Sequence, residues 1–143
     1  MLKKLTIGGY LNAVAVMTGL IGVILVIYGH MTSSANALVN FGVVAALGFV
    51  GVAATLVELL STAKLGNHNP LAAACGLVGI ALYLYVIGTS ASQRILMIAG
   101  LFSYNSMNTE GWRVFYINVA AWVLLLVGAL LLVISSFMRS VKE

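Results

Sequence analysis

Four runs of apolar residues, separated by short polar stretches, organise this chain. They lie at about 8–29, 37–60, 70–88 and 114–137, each near the ~20 residues that cross a ~30 Å hydrocarbon core. The strict alternation of a membrane strand is missing. In hydrocarbon every backbone N–H and C=O must find its partner within the segment or a closed barrel, so the runs predict helices. The expectation is an all-α membrane protein, one domain over 1–143 with four transmembrane helices. The first apolar stretch, about twenty residues, is longer than the 7–15 of a signal-peptide core and is read as a span.

Composition strengthens this reading. Hydrophobic residues make up 62% and charged residues 7%, with three acidic residues, all Glu, and a mean hydropathy of +1.12. A soluble domain carries about 25% charged residues. The net charge of +4 is spread over seven Lys and Arg in ones and twos, without the stripe a nucleic acid would need, so none is expected as a partner. The cations report topology instead. Lys3, Lys4, Lys64, Arg139 and Lys142 fall to one side and Arg94 and Arg113 to the other, which predicts both termini in the cytoplasm. Tyr104, Trp112, Phe115 and Tyr116 are expected to anchor the outer end of the fourth span. From Lys64 to Pro70 the chain reads as a helix stop and restart, with Gly66 ending one helix and Pro70 opening the next. Cys75 stands alone, which excludes an internal disulfide and suits a small core residue.

Aligned with itself at an offset of 57, the stretch Gly19–Ser33 matches Gly76–Ser90 at seven of fifteen positions, including Tyr28 with Tyr85. This suggests a parallel duplication of a two-helix hairpin. If Asn40 is then matched with Asn118, the second half carries an insertion on the outer side, about 91–114, which holds Arg94, Glu110, Trp112 and Arg113. Its apolar part, Ile95–Phe102, is too short to span. It reads either as an interfacial helix or as a continuation of the third span, and the remainder reads as a loop. Charge, amide and aromatic groups on such an element suit recognition of a partner or ligand by Arg94, Glu110, Trp112 and Arg113.

Small residues predict where helices touch, because lipid gives no hydrophobic drive for association and close packing must supply it. Gly19 and Gly22 mark the first span, Gly42, Gly48 and Gly51 the second, and Gly76 and Gly79 the third. In the second span Gly42, Ala45, Gly48, Gly51 and Ala54 form a stripe repeating every three residues. The leucine-rich fourth span is expected to face lipid.

Polar groups within the spans are few. Asn12, Asn40 and Asn118 are expected to hydrogen-bond between helices. Glu58, near the inner interface, has two readings: a titrating or cation-binding carboxylate assisted by Asn12 and Thr55, or a surface group reaching water beside Lys64. His30 with Glu110 is a candidate outer pair. No acid–base pair, metal-ligand spacing or phosphate loop appears, so no enzyme, metal or cofactor is expected. The favoured function is an accessory subunit that packs against a partner membrane protein or its own copies. The alternative is a small oligomeric channel or transporter.

Overall fold

The computed structural model describes residues 4–142, and Lys3, counted above among the cytoplasmic cations, lies outside the described residues. Four long helices follow one another: α1 (Ile7–Thr32), α2 (Phe41–Leu65), α3 (Pro70–Phe102) and α4 (Thr109–Ser136), with a 3-10 turn at Ser34–Asn36. Each is long and apolar enough to cross a membrane. Their ends have local causes. Gly66 closes α2 at φ 98°, a backbone region that glycine enters without a Cβ penalty. Asn69 caps α3 by accepting the Leu71 N–H at 3.0 Å, and Pro70 fills a first-turn position where its missing N–H is not needed. Asn108 caps α4 in the same manner by accepting the Gly111 N–H at 3.0 Å.

Sequential helices run antiparallel, and α4 returns to pack along α1 in the most extensive contact of the bundle. α1 and α3 face each other across its diagonal. One end, the terminal end, holds Lys4, Lys142 and the α2–α3 turn, and the far end holds the other two connections. At the terminal end Leu5 bridges Val141 as a single antiparallel pair. Asn67 fastens this closure: its Oδ1 accepts the N–H groups of Ser140 and Val141 at 2.7 and 3.1 Å, while its Nδ2 donates to the Val141 carbonyl.

The buried positions step by four and three residues in alternation. In α1 these are Gly8, Asn12, Ala15, Gly19, Gly22, Val26 and Gly29; in α2, Val44, Gly48, Gly51 and Thr55. The pattern continues with Ala72, Gly76, Gly79, Tyr83, Val86 and Ser90 in α3, where a second step of four reaches Arg94, and with Gly111, Val114, Asn118, Ala121, Leu125, Gly128, Leu132 and Ser135 in α4. This 3.5-residue period keeps one seam of each helix on its neighbours, as in a coiled coil, but the seams are built from small residues. The opposite faces expose Phe49, Leu77, Leu84, Leu130 and Ile134. A surface this apolar around the whole bundle is matched to lipid chains.

Tyr83 sits where the four seams meet and is wholly buried. Its ring lies against Gly19 of α1, Gly51 of α2 and Gly128 of α4. A Cβ at Gly19 would overlap the phenol, and one at Gly128 would come to 3.2 Å from the ring. The hydroxyl lies 3.2 Å from Thr55 Oγ1 and donates to the Ala15 carbonyl at 3.4 Å. Gly22 receives Leu125, Gly48 receives Val23, Gly76 receives the Glu58 carboxylate and Gly79 receives the Thr55 methyl.

Three expectations are corrected and one open choice is decided. A Cβ at Gly42 would meet no other element within 4 Å, because the seam of α2 runs through Val44, Gly48 and Gly51 rather than along the three-residue stripe. The fourth helix does not simply face lipid, since Leu125 is buried against Gly22 of α1 and Leu132 is buried as well, while Leu126 and Leu130 face out. Of the two readings of Ile95–Phe102, continuation of the third helix is the one found, and α3 runs without a break to Phe102. Asn40 and Asn118 are not equivalent: the first precedes α2 in an exposed left-handed conformation, and the second is buried within α4.

Replacing Gly19 by Ala must displace Tyr83. Thermal unfolding in detergent should show a loss of about 1–3 kcal/mol, the usual scale of overpacking, while Gly42→Ala should stay within about 0.5 kcal/mol of wild type. Adding Tyr83→Phe to Gly19→Ala should recover little of the loss, because the new methyl meets ring carbon Cζ as well as the hydroxyl. Equal losses at Gly19 and Gly42 would contradict this account of the waist.

Candidate functional site

Polar side chains gather on either side of the Tyr83 waist. Towards the terminal end, Glu58 extends the α2 seam three residues beyond Thr55, so its carboxylate turns inward. Asn12 Nδ2 donates to Glu58 Oε1 at 3.1 Å, and Ser135 Oγ donates to Asn12 Oδ1 at 3.0 Å. Three side chains therefore join α1, α2 and α4. Glu58 Oε2 is buried with no hydrogen-bond partner, as is Asn69 Nδ2. Both residues line a cavity of about 120 Å³ together with Thr62, Asn67, Ser135 and Ser140. A second, mostly apolar cavity of about 380 Å³ meets Glu58 from the side of Gly76, Leu77 and Leu132. Of the two readings of Glu58, the structure supports the inward carboxylate with Asn12. Lys64 is exposed and off the seam.

The far end is built around Arg94. Arg94, expected among the outer recognition residues, is found inside the bundle. Because α3 continues past its apolar run, Arg94 falls on the seam four residues after Ser90 and is only 2% exposed. None of its three guanidinium nitrogens has a hydrogen-bond partner. The α1–α2 connection covers it and is fastened at two points. Gln93 Oε1 accepts the Val39 N–H at 2.6 Å and its Nε2 donates to the Val39 carbonyl at 3.2 Å. His30 Nδ1 accepts the Leu38 N–H at 2.9 Å while the imidazole stacks on Phe41 at 3.7 Å. Beneath this cover lies a cavity of about 190 Å³ lined by Ala35, Ala37, Leu38, Gln93, Arg94 and Met97. Asn118 on α4 is 0% exposed; its Nδ2 donates to the Val114 carbonyl at 2.7 Å and its Oδ1 has no partner.

Beyond Arg94 the end of α3, the turn 103–108 and the start of α4 make an ordered platform. Trp112 Nε1 donates to the Ser106 carbonyl at 2.8 Å. Phe102 meets Trp112 and Phe115 edge to face at 5.1 and 5.5 Å, and Trp112 stacks with Tyr116 at 5.9 Å. Tyr104 and Met107 project from it, 86% and 90% exposed. Glu110 and Arg113 line an open cavity of about 390 Å³ with Thr32 and Thr109. The expected recognition residues thus divide: Glu110, Trp112 and Arg113 share the platform, and Arg94 lies within the bundle. His30 holds the connection over α2 rather than pairing with Glu110. Neither Asn40 nor Asn118 hydrogen-bonds to another helix, since Asn118 spends its donor on its own helix at Val114, whereas Asn12 does bridge.

Sequence reasoning passed over Ser135, Asn67 and Gln93, each a polar residue that fixes another element. For Ser135 a signal existed, because it lies on the same three-four spacing as Asn118, Ala121, Leu125, Gly128 and Leu132. Among the described residues no three His, Cys or acidic side chains converge. No known protein family, curated protein or solved structure matches the chain.

Asn12→Ala should cost about 0.6–2 kcal/mol by thermal unfolding, the range for hydrogen bonds between membrane helices, because it removes the Glu58 donor and the Ser135 acceptor together. Asn40→Gly should cost nothing, since φ 53° suits glycine and no side-chain bond is lost.

Proposed function

We propose that this chain is a non-catalytic integral membrane protein with both termini in the cytoplasm. In this reading it serves as an accessory or interaction subunit that binds a partner membrane protein, or further copies of itself, through the far-end platform. The observation that carries the reading is the construction of that platform. Phe102, Trp112, Phe115 and Tyr116 hold one another in fixed geometry while Tyr104, Met107, Glu110 and Arg113 remain exposed. Rigid aromatic anchors ringed by charge supply contact area at small entropic cost, which is what recognition surfaces need. The waist supports the same reading. Tyr83 fills the bundle axis at the level of Gly19, Gly51 and Gly128, so a single chain offers no open path from end to end.

A photoactivatable side chain at Met107 should trap one discrete protein adduct in native membranes, and the same probe at Ile134 on the apolar flank should not. Trp112→Ala should lower the yield about tenfold or more, the scale of losing an aromatic anchor. Absence of protein adducts at Met107, Tyr104 and Tyr116 alike would refute the reading.

One observation favours the second reading, a small channel or transporter: the inward Glu58 carboxylate with an unpartnered oxygen beside a polar cavity. A carboxylate in such a place is a natural stop for a proton or a cation. Purified protein in liposomes should then carry a proton or cation flux that Glu58→Gln abolishes. A silent wild type, or a flux indifferent to that substitution, removes this alternative.

A further inference from the structure

We propose that the cavity under the α1–α2 connection is a binding site for a phosphate group, with Arg94 as its cation. The first argument is charge. A guanidinium carries five N–H donors and stays protonated, so one that is buried needs acceptors and a counter-charge. The chain holds only three acidic residues, Glu58, Glu110 and Glu143. Glu58 lies on the other side of the waist, packed on Gly76, and exposed Glu110 lines a different cavity with Arg113. Asn118 is the nearest unspent acceptor by level, because the contacts of Ser90 with Trp122 and of Leu101 with Gly111 bracket Arg94 and Asn118 at matching heights. One neutral amide oxygen takes one N–H and leaves the charge unbalanced. Nothing among the described residues completes the site, and Lys142, which precedes Glu143, is bonded to the Lys4 carbonyl at the terminal end, so the counter-group comes from outside the described chain.

Construction and depth then select its chemistry. The cover over Arg94 is fastened by the Gln93 amide on both backbone groups of Val39 and by His30 on the Leu38 N–H. These bonds engage Gln93, leaving the guanidinium as the charged group that meets the cavity. A volume of about 190 Å³ is ample for one phosphate group and associated water. The planar fork of Arg engages two phosphate oxygens at once. Arg94 lies eleven residues beyond Tyr83, about 16 Å along α3, and Tyr83 packs on Gly19 at the middle of α1. Half of a ~30 Å hydrocarbon core is about 15 Å, so Arg94 stands at the boundary where the acyl chains give way to the headgroup region. The phosphate has two sources, a phospholipid headgroup entering from the side or a free phosphate entering from the aqueous end.

The test uses full-length protein in a non-ionic detergent free of phospholipid, at constant ionic strength. Short-chain phosphatidylglycerol is added in one arm and inorganic phosphate in the other, with binding read by phosphorus NMR and by thermal unfolding. Wild type should bind one equivalent and gain stability. Binding in the lipid arm alone assigns the headgroup, and binding in both arms admits the free ion. Arg94→Gln should weaken binding at least tenfold, as expected for loss of a charge-assisted pair, with Arg94→Lys between the two. Without either probe Arg94→Gln should unfold at a higher temperature than wild type, because it removes an unbalanced buried charge. Should Arg94→Gln fail to fold, Met97→Trp fills the cavity with the cation retained and should abolish binding. Wild type that saturates with neither probe overturns the assignment, as does Arg94→Gln or Met97→Trp that binds as wild type does.

Discussion

The bundle depends on one contact, the ring of Tyr83 enclosed by glycines from three other helices. Lipid chains are as apolar as the side chains they surround, so the helices gain little by leaving them. Association has to come from close packing and from polar groups with nowhere else to go. Tyr83 supplies both. Its ring reaches across the diagonal from α3 to α1 because Gly19 has no side chain, and it touches Gly51 and Gly128 on the way. Its hydroxyl, which would be costly if unpaired in hydrocarbon, finds Thr55 and the Ala15 carbonyl. A phenol with partners on two helices and ring contacts on a third fixes the height of all four against one another.

That register sets the positions of the two inward-turned charged side chains. Glu58 packs on Gly76, seven residues from Tyr83, and so sits about 10 Å from the waist towards the terminal end. Arg94 sits on the opposite side. With the packed waist between them, neither charge can neutralise the other, and each has to be satisfied within its own half. The halves differ in how far they succeed. Glu58 has Asn12 on one oxygen, itself held by Ser135, and neighbours a cavity lined with hydroxyl and amide groups. Arg94 has no acceptor at all among the described residues. The imbalance places the unmet electrostatic demand of the bundle at the far end.

The parts of this architecture legible in the sequence are those set by sums along the chain. Twenty apolar residues need lipid in any rotation about the helix axis, so four spans could be counted and the α2–α3 turn located from Gly66 and Pro70. What a sum conceals is which face turns inward. Gly42, Gly48 and Gly51 look alike in a list of small residues, yet only the latter two lie on the seam that also carries Val44 and Thr55. Arg94 was hidden differently. A charge after an apolar run ordinarily marks the membrane boundary, and that reading assumes the helix stops there. The spacing Gly76, Gly79, Tyr83, Val86, Ser90, Arg94 continues by threes and fours through the boundary, and it was the available sign that the charge belongs to the interior.

Trp112, Phe115 and Tyr116 are legible in the sequence as interfacial anchors, but their cohesion with Phe102 is not, and Tyr104, expected beside them, projects from the cluster. Trp112 and Tyr116 are four residues apart on α4, with Phe115 between them, so one helical turn brings the three together. Phe102 joins only because α3 extends beyond its apolar run and returns through a short turn pinned by the Trp112 indole. The same extension buries Arg94 and builds the platform. A third helix ending at residue 88 would have left both the guanidinium and the rings in water, the first without a cavity and the second without fixed geometry. The length of α3, rather than any single side chain, is therefore what turns the far end from a solvated connection into structure.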